Sequence, residues 1–219
     1  MKVTVLGSGA WGTALAISLC KNGHDVTLWA RSADKAEQMK RTRQNPRLAG
    51  AYLPRELNIS SNVDCAVGCK LVVIASPSVG IRQVCQRISG HLDENAVMVS
   101  VTKGIEPGTL LRMSQVVAQE TGREVVVLTG PSHAEEVALN VPTACLSACA
   151  DKVKAEFVQD AFMADTFRIY TSPDAVGAEL GGALKNVIAL CAGVSDGLGC
   201  GDNTKAMLMT RGLTEMARL

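Results

Sequence analysis

Three glycines near the amino terminus constrain this chain more than any other feature. Gly7, Gly9 and Gly12 stand between a strand-like run, KVTVL, and a helix-like run. Glycine is a poor helix former, so three glycines at the start of a helix need a physical reason. In the G-x-G-x-x-G pattern the first makes a tight turn, the second leaves room for a phosphate, and the third allows close helix–strand packing. Because a second strand-like run, DVTLWA, follows the helix, the motif predicts a dinucleotide-binding site.

The chain up to position 172 alternates strand-like and helix-like segments. Near-continuous apolar strands separated by helices indicate a parallel sheet that is covered on both faces. We therefore predict an α/β fold with a doubly wound, Rossmann-type parallel sheet over residues 1–172. The predicted strands are KVTVLG, DVTLWA, LVVIAS, AVMVSVT, EVVVLTG, PTACLSA and FRIYTS, and the main predicted helices are Trp11–Lys21, Ser78–Ile88, Thr109–Gln119 and Lys152–Met163.

The pattern changes after Ser172, where the strand-like runs stop. A long apolar helix is predicted from Pro173, and a second helix follows over GDNTKAMLMTRGLTEMARL. We expect residues 173–219 to be the beginning of an all-helical domain for substrate binding and dimerisation, truncated at its carboxyl end. The alternative is a small natural helical appendix, which is harder to reconcile with the need of a domain to close its own core.

Composition argues against several kinds of partner. The net charge is +1 and aromatic residues make up 3% of the chain, so we expect no nucleic acid partner. No run of about eighteen uncharged apolar residues occurs, and we predict no membrane insertion. The amino terminus lacks an apolar leader segment, which predicts a cytoplasmic location. Eight cysteines without a C-x-x-C pair, with only three histidines, predict buried free thiols and no metal site.

The end of the second predicted strand bears on the choice of cofactor. Enzymes that use NAD usually place an acidic residue there to bind the ribose 2′-hydroxyl. This chain has Trp29-Ala30-Arg31 instead, and an arginine can pair with the 2′-phosphate of NADP. We therefore favour NADP(H), with NAD(H) as the other possibility. The alternative for Arg31 is a solvated surface charge.

Further candidate site residues follow the later strands, at the edge where open α/β sheets bind ligands. Lys103 follows AVMVSVT, and its charge suits a phosphate or a carbonyl oxygen, unless it is a surface lysine. Ser132 to Glu135 form a capping-box pattern, so Ser132 is predicted to start a helix whose N-terminus also suits an anionic substrate. A single histidine in that first turn, His133, is more often structural than catalytic.

Lys185 is the only charged residue between Glu179 and Asp196. A helix that is apolar nearly all round is usually buried, so we expect a buried ammonium group that exchanges protons near neutral pH. Asn186 beside it can hydrogen-bond a substrate oxygen, and Gly181 and Gly182, one turn earlier, leave room for a ligand. The alternative is that Lys185 extends to the surface.

These motifs, in this order, resemble the bacterial-type NAD(P)-dependent glycerol-3-phosphate dehydrogenases. The matching segments are GSGAWGTALA, SVTKGIE, LTGPSHAEEV, GAELGGALKNVIAL and SDGLGCGDNTKAMLMTRGLTEMARL, which together span essentially the whole chain. The resemblance implies reversible NAD(P)H-dependent reduction of dihydroxyacetone phosphate to sn-glycerol 3-phosphate, which feeds glycerophospholipid synthesis. It also implies a homodimer.

The resemblance implies roles for individual residues. Lys185 is the proton donor in the reduction, and Lys103 contacts both cofactor and substrate. The implied substrate-binding residues are Lys103, Gly130, Ser132, Lys185 and Asn186. The cofactor-binding residues, including those of the glycine motif, are Gly7, Gly9, Ala10, Trp11, Gly12, Arg31, Tyr52, Lys103 and Ala134.

Two alternatives to this function stay open. A β-hydroxyacid dehydrogenase shares the architecture and also uses a helix lysine. The second alternative is a fragment that binds NADP(H) and catalyses nothing, because the family's S-R-N-type segment, whose arginine meets the substrate phosphate, has no counterpart in these residues.

Overall fold

The computed structural model describes all 219 residues and contains one eight-stranded sheet, with the strand order β3-β2-β1-β4-β5-β6-β7-β8. The order reverses beside β1, as it does in a doubly wound fold, so the predicted fold class is confirmed. The strands are β1 (Lys2–Leu6), β2 (Asp25–Trp29), β3 (Asn58–Ser60), β4 (Leu71–Ile74), β5 (Val97–Ser100), β6 (Val125–Thr129), β7 (Thr143–Ala148) and β8 (Phe167–Ser172).

Helices cover both faces of the sheet. Alternate residues of each central strand point to opposite faces: Leu71 and Val73 join an apolar cluster of 33 buried residues, and Val72 and Ile74 join another of 15. Strand β4 is therefore apolar and buried at all four positions, as a strand covered on both faces requires. The helices are α1 (Ala10–Lys21), α2 (Ala33–Thr42), α3 (Ile81–Ile88), α4 (Met113–Thr121), α5 (Ala134–Ala138), α6 (Lys152–Phe162), α7 (Ala175–Gly197) and α8 (Gly201–Met216).

Two elements and the starts of two helices differ from the sequence-based prediction. Helix α3 begins at Ile81 rather than Ser78, because Ser78–Gly80 form a 3₁₀ turn. Helix α2 and the short strand β3 were not predicted; α2 is highly charged and buries only Ala36 and Met39. Helix α4 begins at Met113 rather than Thr109. The preceding residues form a turn instead, in which Leu110 has a φ of 59° and Ile105 pairs with Arg112.

The sheet is mostly, but not entirely, parallel. Strand β7 runs antiparallel to β6, whereas β8 is parallel to β7. The prediction of an all-parallel sheet is therefore wrong at this one pairing. The connection from β6 to β7 contains only the five-residue helix α5, about 7 Å long at helical rise. Such a helix is too short to return the chain along the sheet for a parallel crossover, which usually needs a longer one.

Helices α7 and α8 pack against each other, and α7 also contacts β6 and β7. Only Glu179 and Ser195 of α7 are buried, while several of its apolar side chains are exposed. Helix α7 has 23 residues, and an 18-residue window of it has a mean hydropathy of 1.3, so it is long and apolar enough to cross a membrane. Core helices of soluble proteins also meet this measure. The absence of a membrane span stays a prediction.

All eight cysteines are free thiols. Cys69, Cys85, Cys145 and Cys149 are buried, in line with the expected role of small core residues. Cys191 and Cys200 are exposed, so the expectation of burial is wrong for these two, which lie at and beyond the poorly covered part of α7.

Candidate functional site

The glycine loop between β1 and α1 shows what each glycine does. Gly7 has a φ of +134°, and a Cβ there would lie 2.5 Å from the Ala75 carbonyl oxygen. A Cβ on Gly12 would lie 2.1 Å from the carbonyl oxygen of Gly7. Around Gly9 nothing lies within 4 Å of such a Cβ. Gly7 and Gly12 therefore allow backbone segments to touch, whereas Gly9 faces open space.

That open space belongs to a cleft of about 720 Å³. Helix α1 has Gly9 at its N-cap with no side-chain cap, so the N–H groups of its first turn have no intrahelical acceptor. These N–H groups and the positive end of the helix dipole favour an anion such as a pyrophosphate. The lining residues from the glycine loop and from the segments after β4, β5 and β6 include Gly7, Ser8, Gly9, Ala10, Trp11, Gly12, Ala75, Ser76, Pro77, Ser78, Val101, Thr102, Lys103 and Ser132.

Four basic residues also line the cleft: Arg31, Lys35, Arg47 and Arg87. The Lys35 ammonium donates a 2.6 Å hydrogen bond to the Ser8 carbonyl oxygen. Partial burial and, secondarily, the charge of Arg47 lower the pKa of Lys35. Only Arg31 was predicted here from the sequence. Lys35 and Arg47 were not predicted, because the sequence pattern did not reveal helix α2 or the loop that follows it.

Lys103 lies where β5 ends, on the wall of the same cleft. Its ammonium donates a 3.2 Å hydrogen bond to the carbonyl oxygen of Gly130, which follows β6. Partial desolvation and then the neighbouring charge of Lys185 lower the pKa of Lys103. Lys103, Gly130 and Lys185 are thus brought together from three separate parts of the chain.

The segment after β6 differs from its predicted capping box. Helix α5 begins at Ala134, and its N-cap is His133, whose side chain makes no capping bond. The Ser132 hydroxyl instead donates to the carbonyl oxygen of Gly130, at 3.3 Å, and Ser132 also lines the cleft. The prediction that Ser132 caps this helix is therefore wrong. Because the Ser132 side chain bonds to Gly130 and not to the helix, Ser132 lies at the wall of the cleft.

Helix α7 brings Lys185 and Asn186 towards the ends of β5 and β6. A Cβ on Gly182 would lie 3.1 Å from the Thr129 hydroxyl oxygen and 3.7 Å from Lys103 Cγ, so this glycine permits the close approach. Lys185 and Asn186 are both exposed. The predicted burial of Lys185 is wrong, because α7 packs mainly against β6, β7 and α8 and these contacts do not cover the side chain of Lys185. Around Gly181 nothing lies within 4 Å of a Cβ.

Two predicted cofactor residues do not line the cleft. Tyr52 is 72% exposed and borders a separate cavity of about 370 Å³ formed by the loop after α2. Ala134 is 7% exposed and packs into the apolar core at the start of α5. The structure therefore brings the other predicted cofactor residues together and leaves these two apart from them.

Comparisons with known proteins show which family this chain matches. Family models described as NAD-dependent glycerol-3-phosphate dehydrogenase N-terminus and C-terminus match residues 2–155 and 174–219. Relatives named glycerol-3-phosphate dehydrogenase (NAD(P)+) include one from Thermoanaerobacter sp. (strain X514), 50% identical over 220 residues, and one from Pelotomaculum thermopropionicum, 51% identical over 224. The match covers all of this chain, which spans 67% and 64% of those two relatives.

Solved structures give the same result. A glycerol-3-phosphate dehydrogenase from Coxiella burnetii matches 99% of this chain and 67% of its own, with a TM-score of 0.91 and 36% identity. The yeast enzyme GPD1 matches all of this chain and 69% of its own, with a TM-score of 0.89 and 29% identity. A ketopantoate reductase from Ralstonia eutropha, at 19% identity and a TM-score of 0.67, shares the fold alone.

Proposed function

Because this chain belongs to the NAD-dependent glycerol-3-phosphate dehydrogenase family, we propose that its site reduces dihydroxyacetone phosphate to sn-glycerol 3-phosphate, reversibly. The observation that carries the proposal is the meeting of Lys103, Gly130 and Lys185 beside the glycine cleft. In the reduction a bound NAD(P)H supplies the hydride that the carbonyl carbon accepts. The residues of this chain bind and orient the substrate and handle the proton.

Lys185 is the proposed proton donor to the substrate oxygen. A ketone that receives hydride develops negative charge on its oxygen, and a positioned acid that protonates this oxygen lowers the barrier. Lys185 lies on α7 near Lys103, so two ammonium groups flank the space beyond the ends of β5 and β6. One can give up its proton while the other keeps its positive charge next to the oxygen.

Lys103 and Asn186 are the proposed stabilisers of that charge. Lys103 is held by its hydrogen bond to Gly130, so its ammonium is fixed in place before the charge develops, and fixed donors stabilise transition states best. Asn186 lies next to Lys185 on the same helix and supplies an amide donor. Gly130 and Ser132 are the proposed residues that hold the substrate at the end of β6.

NADP(H) is the preferred cofactor in this proposal. The first turn of α1 would hold the pyrophosphate, with Ala10 and Trp11 at its edge. Arg31, Lys35 and Arg47 all line the cleft, and such cations suit a 2′-phosphate better than a neutral hydroxyl. No carboxylate lines the cleft. Tyr52 and Ala134 lie outside the cleft, so the proposal does not include them in the cofactor site.

The rest of the proposed biology follows from the family. We propose that the intact protein is a cytoplasmic homodimer, that its product feeds glycerophospholipid synthesis, and that residues 1–172 and 173–219 belong to two domains. The exposed apolar side chains of α7 and α8 support an assembly partner for this region. Sedimentation of the intact protein tests the oligomeric state.

The test of the activity is oxidation of NADPH that depends on dihydroxyacetone phosphate, with NADH in parallel. We expect Lys185→Ala to abolish turnover and Lys152→Ala, which removes an exposed lysine paired only with Glu156, to leave it unchanged. A 2-oxo acid without a phosphate is the control substrate for a hydroxyacid dehydrogenase. Saturable NADPH binding without turnover by the unmutated chain would instead support the non-catalytic alternative.

A further inference from the structure

Glu179 is the only Asp, Glu, Lys or Arg residue that is buried in this protein, at 6% exposure. Its Oε1 accepts a 2.8 Å hydrogen bond from the backbone N–H of Ser114. Its Oε2 accepts from the Ser114 hydroxyl at 2.5 Å and from Arg112 Nη1 at 2.5 Å. Both carboxylate oxygens are therefore satisfied, and all three donors belong to the first residues of α4.

The residues that bind Glu179 lie at the start of a helix that is anchored in the core. Arg112 is the N-cap of α4, and Met113, Val116 and Val117 of this helix are fully buried in the core. The carboxylate accepts from one of the α4 N–H groups that lack an intrahelical acceptor, at the positive end of the helix dipole. Glu179 thus ties α7 to an element that cannot move without disturbing the core.

Apolar packing by itself does little to fix α7. Glu179 and Ser195 are its only buried residues, and its side chains Val187, Leu190 and Val194 are exposed. A helix without a buried apolar stripe has no strong preference for one rotation about its axis. Ile188 of α7 packs against Gly212, but that contact is with α8, which buries only Gly212. The charge-assisted bonds of Glu179 to the start of α4 and the seating of Gly182 against Thr129 are then the contacts that set the rotation of α7 relative to the sheet.

The rotation of α7 decides where Lys185 lies. Glu179 and Lys185 are six residues apart, or about 9 Å along the axis. A slip by one residue would move Lys185 by about 1.5 Å and turn it by about 100°, away from Lys103. An error of about 1 Å in the placement of a reacting group is enough to slow a reaction strongly.

We propose that Glu179 is a positioning residue for the reaction. Its carboxylate, held by Arg112 and Ser114, sets the rotation of α7 and its position along the helix axis, and so places Lys185 beside Lys103. This inference rests on the proposed function. Glu179 touches neither the cleft nor the reacting atoms, and it acts through the helix that carries the proton donor.

The test compares Glu179→Gln with a matched control on the same helix. Asp174→Ala removes the N-cap of α7, whose carboxylate accepts from the Gly177 N–H at 2.8 Å, and leaves the Glu179 contacts intact. Both variants weaken α7, but only Glu179→Gln releases it from α4. The measurements on each variant are amide hydrogen exchange along α7, kcat and KM for dihydroxyacetone phosphate, and the Kd for NADPH.

For Glu179→Gln we expect faster amide exchange along α7 beyond position 179 and a fall in kcat of about tenfold or more. The Kd for NADPH should stay within about twofold, because the residues that line the glycine cleft do not belong to α7. Asp174→Ala should speed exchange only in the first turn and keep kcat within about twofold. Arg112→Gln removes one of the three donors to Glu179, so it should change exchange and kcat in the same direction as Glu179→Gln but by less, and the double variant should lose no more than Glu179→Gln alone.

Unchanged exchange in Glu179→Gln overturns the inference, whether or not the chain turns over substrate. Faster exchange with an unchanged kcat overturns the positioning role, and so does an equal loss of kcat in Asp174→Ala, which would indicate a general effect of helix stability. If the proposed function is wrong, the unmutated chain shows no turnover. The amide exchange measurement by itself then tests whether Glu179 anchors α7.

Discussion

Gly9 and Gly12 belong to one motif, yet the same substitution should damage two different properties of the protein. In Gly12→Ala the added methyl would lie 2.1 Å from the Gly7 carbonyl oxygen and 2.9 Å from Ala75 Cβ. The oxygen is backbone and cannot rotate away. In Gly9→Ala the added methyl meets nothing within 4 Å and stands in the cleft.

The expected size of each effect follows from these contacts. An alanine inside a helix is favoured over glycine by about 1 kcal/mol, whereas overpacking against a fixed neighbour costs about 1–3 kcal/mol. Because the Gly12 contact is shorter than any real Cβ contact, we expect the upper end of that range and a net loss of about 2 kcal/mol in the free energy of unfolding. In a protein of this size that corresponds to a fall in Tm of about 4–8 °C.

Gly9→Ala should lower Tm by no more than about 4 °C, because alanine at an N-cap costs about 1 kcal/mol relative to glycine and the added methyl meets no neighbour. Its Kd for NADPH should rise by about tenfold or more, because the methyl occupies the space that the pyrophosphate needs. Thermal melting and fluorescence titration measure both quantities. Gly193→Ala, in α7 with nothing within 4 Å, is the control. A Gly12→Ala variant as stable as the unmutated chain, or a Gly9→Ala variant that binds NADPH normally, would refute this reasoning.

Three further predictions concern charge. Arg31→Ala should raise the Kd for NADPH by about tenfold and that for NADH by less than about twofold, and equal effects in titrations of both cofactors would argue against a 2′-phosphate site. Lys103→Met should lower kcat by about a hundredfold or more in the NADPH oxidation assay without lowering Tm, because desolvation already disfavours its charged form; full activity would remove Lys103 from the mechanism. Hydrogen bonds from Arg82 and Thr109 lower the pKa of Glu106 to about 2. The Arg82–Glu106 ion pair therefore stabilises the folded protein above the ordinary carboxyl pKa, and this stabilisation is lost as the pH falls towards 2. Arg82→Gln should therefore lower Tm at neutral pH, and its Tm should converge with that of the unmutated chain in acid; a pH-independent difference would contradict the assignment.

The amino-acid sequence by itself determined the architecture and the start of the cofactor site. Apolar runs such as LVVIA must be buried on both faces, and the spacing of Gly7, Gly9 and Gly12 has one stereochemical use between a strand and a helix. These are local properties, because they depend on periodicity and on the backbone freedom of single residues. The same is true of the change to a helical region after Ser172.

Only the tertiary structure decided which distant residues meet and which side chains are covered. Lys35 and Arg47 join Arg31 because α2 folds back on the glycine loop, and no periodicity in the sequence reports that contact. The apolar sequence of α7 suggested burial of Lys185, yet burial depends on what packs against a helix, and here it is Glu179 that is buried. Glu179 meets Arg112 across 67 positions of sequence, and such a pairing is fixed by the packing of whole elements rather than by local pattern.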